Sequence, residues 1–206
     1  MPRAKKPELP PHFLIIAGPN GSGKTTAYKK VDLKVFGQSV WIINPDALAA
    51  RIRKIEKKGL DDANRESVIR IGRWLDSSID AHQSVGVETV LSTDKYRERV
   101  LRAKALGFTV TLVYVILDSP NLNIERVRQR VARGGHDVPR EKIVARYTRS
   151  LNQMPWFLNQ ANNAVLYDNS GEQLKLIGIK QADTLSLDKN AIPAVIAAIN
   201  AGADAG

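Results

Sequence analysis

Residues 18–25 read Gly18-Pro19-Asn20-Gly21-Ser22-Gly23-Lys24-Thr25, a GxxxxGK[ST] pattern without a mismatch. An apolar run, Phe13-Leu14-Ile15-Ile16-Ala17, precedes it, and residues 25–35 after it are compatible with a helix. Strand, glycine-rich loop and helix in that order are the context a phosphate-binding loop requires. Inward-facing backbone N–H groups cradle phosphate oxygens, and the helix N-terminus adds a favourable dipole. Glycines allow positive φ and close approach of the backbone. In such a loop, residues Gly18 to Gly23 with Lys24, Thr25 and Thr26 contact the nucleotide. Lys24 reaches the β- and γ-phosphates, and the Thr25 hydroxyl ligates Mg²⁺. The alternative is a chance glycine turn, against which the flanking strand and helix signals count.

The chain has 206 residues, enough for one α/β domain with a sizeable core. Residues 1–11 read as a disordered basic tail, without the apolar stretch of a signal peptide, and 12–206 as a single domain. No apolar run approaches the length of a membrane span. There is no cysteine, so a disulfide framework, Cys-ligated zinc and thiol catalysis are excluded, and a cytoplasmic location is the expectation. The net charge is +10, and residues 94–149 hold thirteen Lys and Arg against six Asp and Glu. That surplus suits nucleic acid or a polyphosphate ligand. Aromatic residues, at 6%, are too sparse for a base-stacking platform.

Apolar periodicity gives strands near residues 12–17, 40–43, 85–91, 108–117 and 164–167, with 174–179 a further strand or an edge hairpin. Helices fall near 47–57, 61–83, 95–106, 120–133, 140–160 and 192–200. In the second of these, Val68, Ile71, Leu75 and Ile79 are spaced by three and four. Alternating strands and helices predict a three-layer fold, a mostly parallel sheet of about five strands covered on both faces. Ligands on such a sheet bind beyond the carboxyl ends of its strands. Trp41, Trp74 and Trp156 lie in apolar contexts and read as core.

Asp46 follows the second strand, at the same sheet edge as the loop. A carboxylate there suits a base that takes a proton from an attacking hydroxyl, and it equally suits an N-cap for the helix at 47. Glu88 and Thr89 lie near the end of the third strand. A buried Glu needs a partner: Mg²⁺ through water, substrate hydroxyls, or an ion pair with an arginine. Arg126, Arg130 and Arg133, at i, i+4 and i+7, share a helical face. Their mutual repulsion makes that face either a solvated basic surface or a site for an anionic, transferring phosphoryl group. Gly134-Gly135 makes the helix end mobile, as a lid over about 126–140 would be. His136 in that loop binds phosphate or holds the loop together. Asp168-Asn169-Ser170, after the fifth strand, reads as a turn or as a wall near a nucleotide base.

Taken together, Gly18 through Thr26, Asn44-Pro45-Asp46, Glu88-Thr89, and Arg126 through the Gly134-Gly135-His136-Asp137-Val138-Pro139 loop resemble the zeta toxin family of P-loop kinases over residues 12–170. The resemblance implies a nucleoside-monophosphate-kinase-like P-loop NTPase fold with an arginine-bearing lid. It also implies ATP- and Mg²⁺-dependent phosphorylation of a hydroxyl on a UDP-amino sugar such as UDP-N-acetylglucosamine. By the same resemblance Lys24 is the P-loop lysine, Asp46 the base, Glu88 the substrate-binding acid, and Arg126 with Arg133 the lid arginines; Arg130 joins them by helical geometry. A toxin role implies a neutralising antitoxin. Two other readings stay open: a kinase of another small metabolite or nucleotide, and an ATP-dependent nucleic-acid-binding switch. The gathering of arginines in the lid argues against the second, and no membrane partner is expected.

Overall fold

The apolar runs pair into one seven-stranded sheet. In the computed structural model, which describes residues 9–30 and 40–203, the strands are β1 His12–Ala17, β2 Trp41–Ile43, β3 Val85–Thr89, β4 Thr109–Ile116, β5 Asn163–Asp168, β6 Lys175–Gln181 and β7 Thr184–Leu187. The helices are α1 Lys24–Lys30, α2 Pro45–Glu56, α3 Leu60–Asp80, α4 Arg97–Ala105, α5 Pro120–Ala132, α6 Arg140–Gln160 and α7 Pro193–Ala203. The tail over residues 1–8, and the expected P-loop helix beyond 30, lie outside the described residues.

Strand order is β2-β3-β1-β4-β5-β6-β7, and the first five are parallel. The expectation of about five strands therefore accounts for the parallel set alone. Two antiparallel strands extend it, because β6 turns back on β5 and forms a hairpin with β7. The short Thr184-Leu185-Ser186-Leu187 alternation had no long apolar run to announce it.

β1 and β4 are buried along nearly their whole length, as central parallel strands must be. Alternate residues face opposite layers. Phe13, Ile15, Leu112 and Tyr114 join the main core with Ile71 and Leu75 of α3 and Leu151, Met154 and Phe157 of α6. Leu14, Ile16, Val113 and Val115 form the second core with Ala27 of α1. A third, small cluster joins Val127 of α5 to Val138 and Ile143. It anchors the segment after α5, since burying a valine contributes roughly 1.5 kcal/mol or more.

Trp74 and Trp156 pack against the main core as expected, whereas Trp41 is 77% exposed. It sits on β2, at the edge of the sheet, where one strand flank has no neighbour among the described residues. Val68 likewise leaves the buried stripe of α3, at 49% exposed, and lines a cleft instead. Among the described residues no helix is long and apolar enough to cross a membrane.

The carboxyl ends of the five parallel strands share one edge. The loop after β1 carries residues 18–23, β2 runs into Asn44 and Asp46, β3 ends at Glu88 and Thr89, and β5 runs into Asn169.

Candidate active site

The loop after β1 is shaped by contacts only glycine tolerates. Gly18 has φ +142, and a Cβ there would lie 1.9 Å from the Val115 carbonyl oxygen. Gly23 has φ +86, and its Cβ would meet the Asn169 side-chain amide at 2.3 Å. Both positions demand a conformation and a closeness that a side chain forbids. Three side chains then hold the loop in place. Asn123 of α5 donates to the Asn20 carbonyl at 2.6 Å, Asn169 to the Ser22 carbonyl at 2.9 Å, and Arg146 of α6 to the Asn20 side-chain oxygen at 3.2 Å. The loop is thus preorganised from both sides. The Ser22 hydroxyl is buried in it without a partner among the described residues, which fits a loop whose polar groups serve a phosphate.

Lys24 is 8% exposed, and its ammonium donates to the carbonyls of Gly18 at 2.8 Å and Pro19 at 3.0 Å. Burial pushes its pKa down to about 8; Glu88 and Asp46 oppose the shift, and Arg130 adds to it. A desolvated ammonium folded onto its own loop binds a phosphate anion with little competing hydration.

The Thr25 hydroxyl donates to the Glu88 carboxylate, 3.1 and 3.3 Å from its two oxygens. Register explains the contact: Glu88 lies beside Ile16 in the β1–β3 ladder, one residue short of the strand's end. Glu88 is 7% exposed and makes no ion pair among the described residues, so the arginine partner considered from sequence is absent there. Thr89 lines the same cleft, but its hydroxyl accepts from Leu91 N at 3.1 Å and meets the Tyr96 phenol. It shapes the β3–α4 turn, in which Leu91 has φ +56. Among the described residues no group of three or more His, Asp or Glu side chains forms a cation site by itself. The Thr25–Glu88 oxygens suit Mg²⁺, a hard cation that shares its shell between a few protein oxygens, water and substrate phosphates.

The N-cap of α2 is Asn44. Its side-chain oxygen accepts from the N–H groups of Asp46 and Ala47, at 2.9 and 3.1 Å, and Pro45 takes the first helical position. The capping role weighed for Asp46 therefore belongs to Asn44. Asp46 sits in the first turn, exposed, with its carboxylate on the cleft.

That cleft, of ≈ 550 Å³, is lined by Lys24, Thr25, Asp46, Glu88, Arg130, His136 and Arg146, among others. The three arginines expected to form a lid face, Arg126, Arg130 and Arg133, do not share one. Arg130 enters the cleft, donating to the His136 carbonyl at 2.6 Å, with its Nε buried and unpartnered. Arg126 turns to the opposite side of the loop, toward Asn169 and Gly171. Arg133 caps the C-terminus of α5 and is exposed, lining neither space. The 100° step between successive helical residues carries i and i+4 about 40° apart, enough to put them on either side of a loop packed against the helix.

Two basic cleft residues escaped the sequence reading, Arg146 and Lys95. Burial, Arg99 and Arg146 hold the Lys95 pKa below its usual value, with Asp46 opposing. The one available signal for Arg146 was its position beside the buried stripe Ile143-Tyr147-Ser150 of α6. That stripe identifies a core face but not what lies next to it.

Comparison with known proteins bears on this arrangement. The Zeta toxin family model matches residues 2–184. An uncharacterized protein of Haemophilus influenzae is 29% identical over 137 residues, covering 65% of this chain and 91% of its own. The crystal structure of AvrRxo1-ORF1:-ORF2 with ATP superposes with a TM-score of 0.68 at 17% identity, over 87% of this chain and 60% of that one. A structure from the PezAT chromosomal toxin-antitoxin system of Streptococcus pneumoniae gives 0.60 at 16% identity, over 81% of this chain and 71% of that one. This chain thus spans about three fifths of the AvrRxo1 chain it matches. At such identities the likeness is one of fold.

Proposed function

We propose a function from one established premise: this chain belongs to the zeta toxin family. It is a P-loop kinase of that family, and we assign to it transfer of the ATP γ-phosphoryl group to a hydroxyl of a UDP-amino sugar, UDP-N-acetylglucosamine first. One observation carries the kinase reading. The P-loop ammonium of Lys24, the Thr25–Glu88 pair and the uncapped carboxylate of Asp46 open into a single cleft.

Each residue then has a chemical task. Lys24 holds the β- and γ-phosphates. Asp46 accepts the proton of the acceptor hydroxyl while its oxygen bonds to the γ-phosphorus. The bond from that phosphorus to the β–γ bridging oxygen breaks, and ADP leaves. Arg130 and Arg146 offset the negative charge of the transferring group. Glu88 orients Thr25, and the remaining lone pairs of its carboxylate accept from acceptor hydroxyls. Thr25, beside Glu88, would hold Mg²⁺, which would supply Lewis-acid neutralisation of phosphate charge. The UDP-amino sugar rests on the family resemblance and on space. Beyond Asp46 a recess of ≈ 370 Å³ between α2, α3 and the lid loop, with Arg53, Asn64 and Asp137, prolongs the cleft. A cytoplasmic location is the corresponding expectation for a kinase using these two substrates. The AvrRxo1 and PezAT structures are a two-component complex and a toxin-antitoxin system, and a neutralising protein partner is the corresponding expectation here.

The assignment is tested by incubating the protein with ATP, Mg²⁺ and UDP-N-acetylglucosamine and weighing the products by mass spectrometry. A product heavier by one phosphoryl group is expected. Turnover of another metabolite in a parallel panel, with none of this sugar, would remove the acceptor and keep the kinase.

Arg146→Ala is expected to lower kcat about 10²-fold, the scale of removing one charge from a developing oxyanion, with ATP affinity within a few-fold of wild type. Steady-state kinetics and calorimetry separate the two. An unchanged kcat would leave Arg146 as no more than a strut for Asn20.

A further inference from the structure

Four successive carbonyls, at and just past the end of β4, hold three parts of the site to one reference. The Val115 carbonyl packs on Gly18 of the phosphate loop, where a Cβ would lie 1.9 Å from its oxygen. The Ile116 carbonyl accepts from Asn169 N at 2.9 Å, and the Asn169 side chain in turn holds Ser22. The carbonyls of Leu117 and Asp118 accept from the Tyr147 hydroxyl of α6, at 2.9 and 3.2 Å. Tyr147 stands next to Arg146, the arginine that reaches the Asn20 side chain from α6. We infer that Tyr147 is a positioning residue: its hydroxyl pins α6 to the strand end that also seats the phosphate loop, and so aims the Arg146 guanidinium at the transferring phosphoryl group. That role rests on the charge offset assigned to Arg146 above, and names the group that makes the arginine effective.

Three observations support it. First, Tyr147 is 6% exposed and belongs to the main core, so its hydroxyl needs a partner there. Both acceptors are backbone atoms at a strand end, which fix direction as well as distance. Burial, Asp118 and Asp168 push the Tyr147 pKa up to about 12, so the hydroxyl stays a donor. Second, apolar packing alone does not set where α6 lies along β4. Leu112 of the strand and Leu151, Met154 and Phe157 of the helix meet in one core, and such contacts have no directional preference. Among the described residues two tyrosines hydrogen-bond α6 to this strand and its end. Tyr147 is one, and Tyr114, 3.1 Å from the Ser150 hydroxyl, is the other, one helical turn farther from Arg146. Third, the 100° step between adjacent helical residues turns Tyr147 into the core and Arg146 onto the cleft. A shift of α6 therefore passes directly to the guanidinium, and a misplacement of about 1 Å costs up to about 10²-fold in rate.

The test is a double-mutant cycle with Arg146→Ala. It is read on kcat, and again on binding of ADP with aluminium fluoride, a mimic of the transferring phosphoryl group that needs no turnover. Tyr147→Phe removes the hydroxyl and keeps the ring. It is expected to lower kcat about tenfold and weaken the mimic about tenfold, with the ATP Kd and KM within about twofold. In the Arg146→Ala background the same change should move neither readout by more than about twofold. Tyr114→Phe, which removes the more distant contact, is the stability control: a similar fall in melting temperature is expected, with kcat within about twofold. Equal losses from Tyr147→Phe in both backgrounds, no loss in the single variant, or an equal loss in Tyr114→Phe would each overturn the inference and leave the kinase. So would an Arg146→Ala variant with both readouts intact. A wild type that phosphorylates no acceptor would remove the acceptor assignment, and the binding cycle would still decide the role of Tyr147. Failure of wild type to bind either ATP or the mimic would overturn both.

Discussion

Lys24→Met is expected to reduce phosphoryl transfer about 10³-fold or more, the scale of losing a positive charge aimed at a transferring phosphoryl group. The fold should survive, because among the described residues the ammonium bonds only two carbonyls of its own loop and methionine keeps most of the buried stem. Circular dichroism and a thermal melt check the fold, and product formation checks the loss. Unchanged turnover in a folded variant would sink the phosphate-loop reading. The same residue predicts a pH effect. In the free protein burial lowers the Lys24 pKa to about 8, so the ammonium loses its proton as pH rises through that value. Phosphate binding favours the charged form and pulls the pKa back up. Nucleotide affinity should therefore fall as pH rises above about 8, with a proton taken up on binding. Calorimetry in buffers of different ionisation enthalpy reads that proton directly, and Lys24→Met should abolish it.

Asp46→Asn is expected to lower kcat by about 10²–10⁴-fold, the worth of a positioned general base, with ATP binding nearly intact. The structure makes this substitution cleaner than sequence alone allowed. Asn44 caps α2, so the change at Asp46 removes charge and proton affinity without removing the cap. A matching Asn44→Ala should instead cost about 1 kcal/mol of stability. If Asp46→Asn stays within a few-fold of wild type, the carboxylate has no part in the chemistry and the base must be sought elsewhere on the cleft.

The parallel sheet, the phosphate loop and the sheet edge that carries the candidate site were legible from local signals, because each rests on a pattern within about ten residues. A buried central strand reads as a continuous apolar run, and a phosphate loop reads as glycines at set spacing before Lys24 and Thr25. The hairpin of β6 and β7 was half legible, since an exposed edge strand needs few apolar residues. Trp41 misled for a related reason: an apolar context does not reveal whether its strand lies inside the sheet or at its margin.

What the chain determined by itself was the inventory: a loop with the phosphate-binding pattern, acids at two strand ends, and a basic segment after β4. Which of those groups meet was decided only in three dimensions. Glu88 meets Thr25 because the β1–β3 register brings Ile16 beside it. Arg130 and Arg126, four residues apart on one helix, part company because α5 packs against the loop through Asn123, leaving one arginine on each side. Arg146 joins the cleft from a helix more than a hundred residues away in sequence. Local spacing specifies backbone shape through short-range sterics, whereas a site assembled across a sheet edge depends on strand order, which no local pattern encodes.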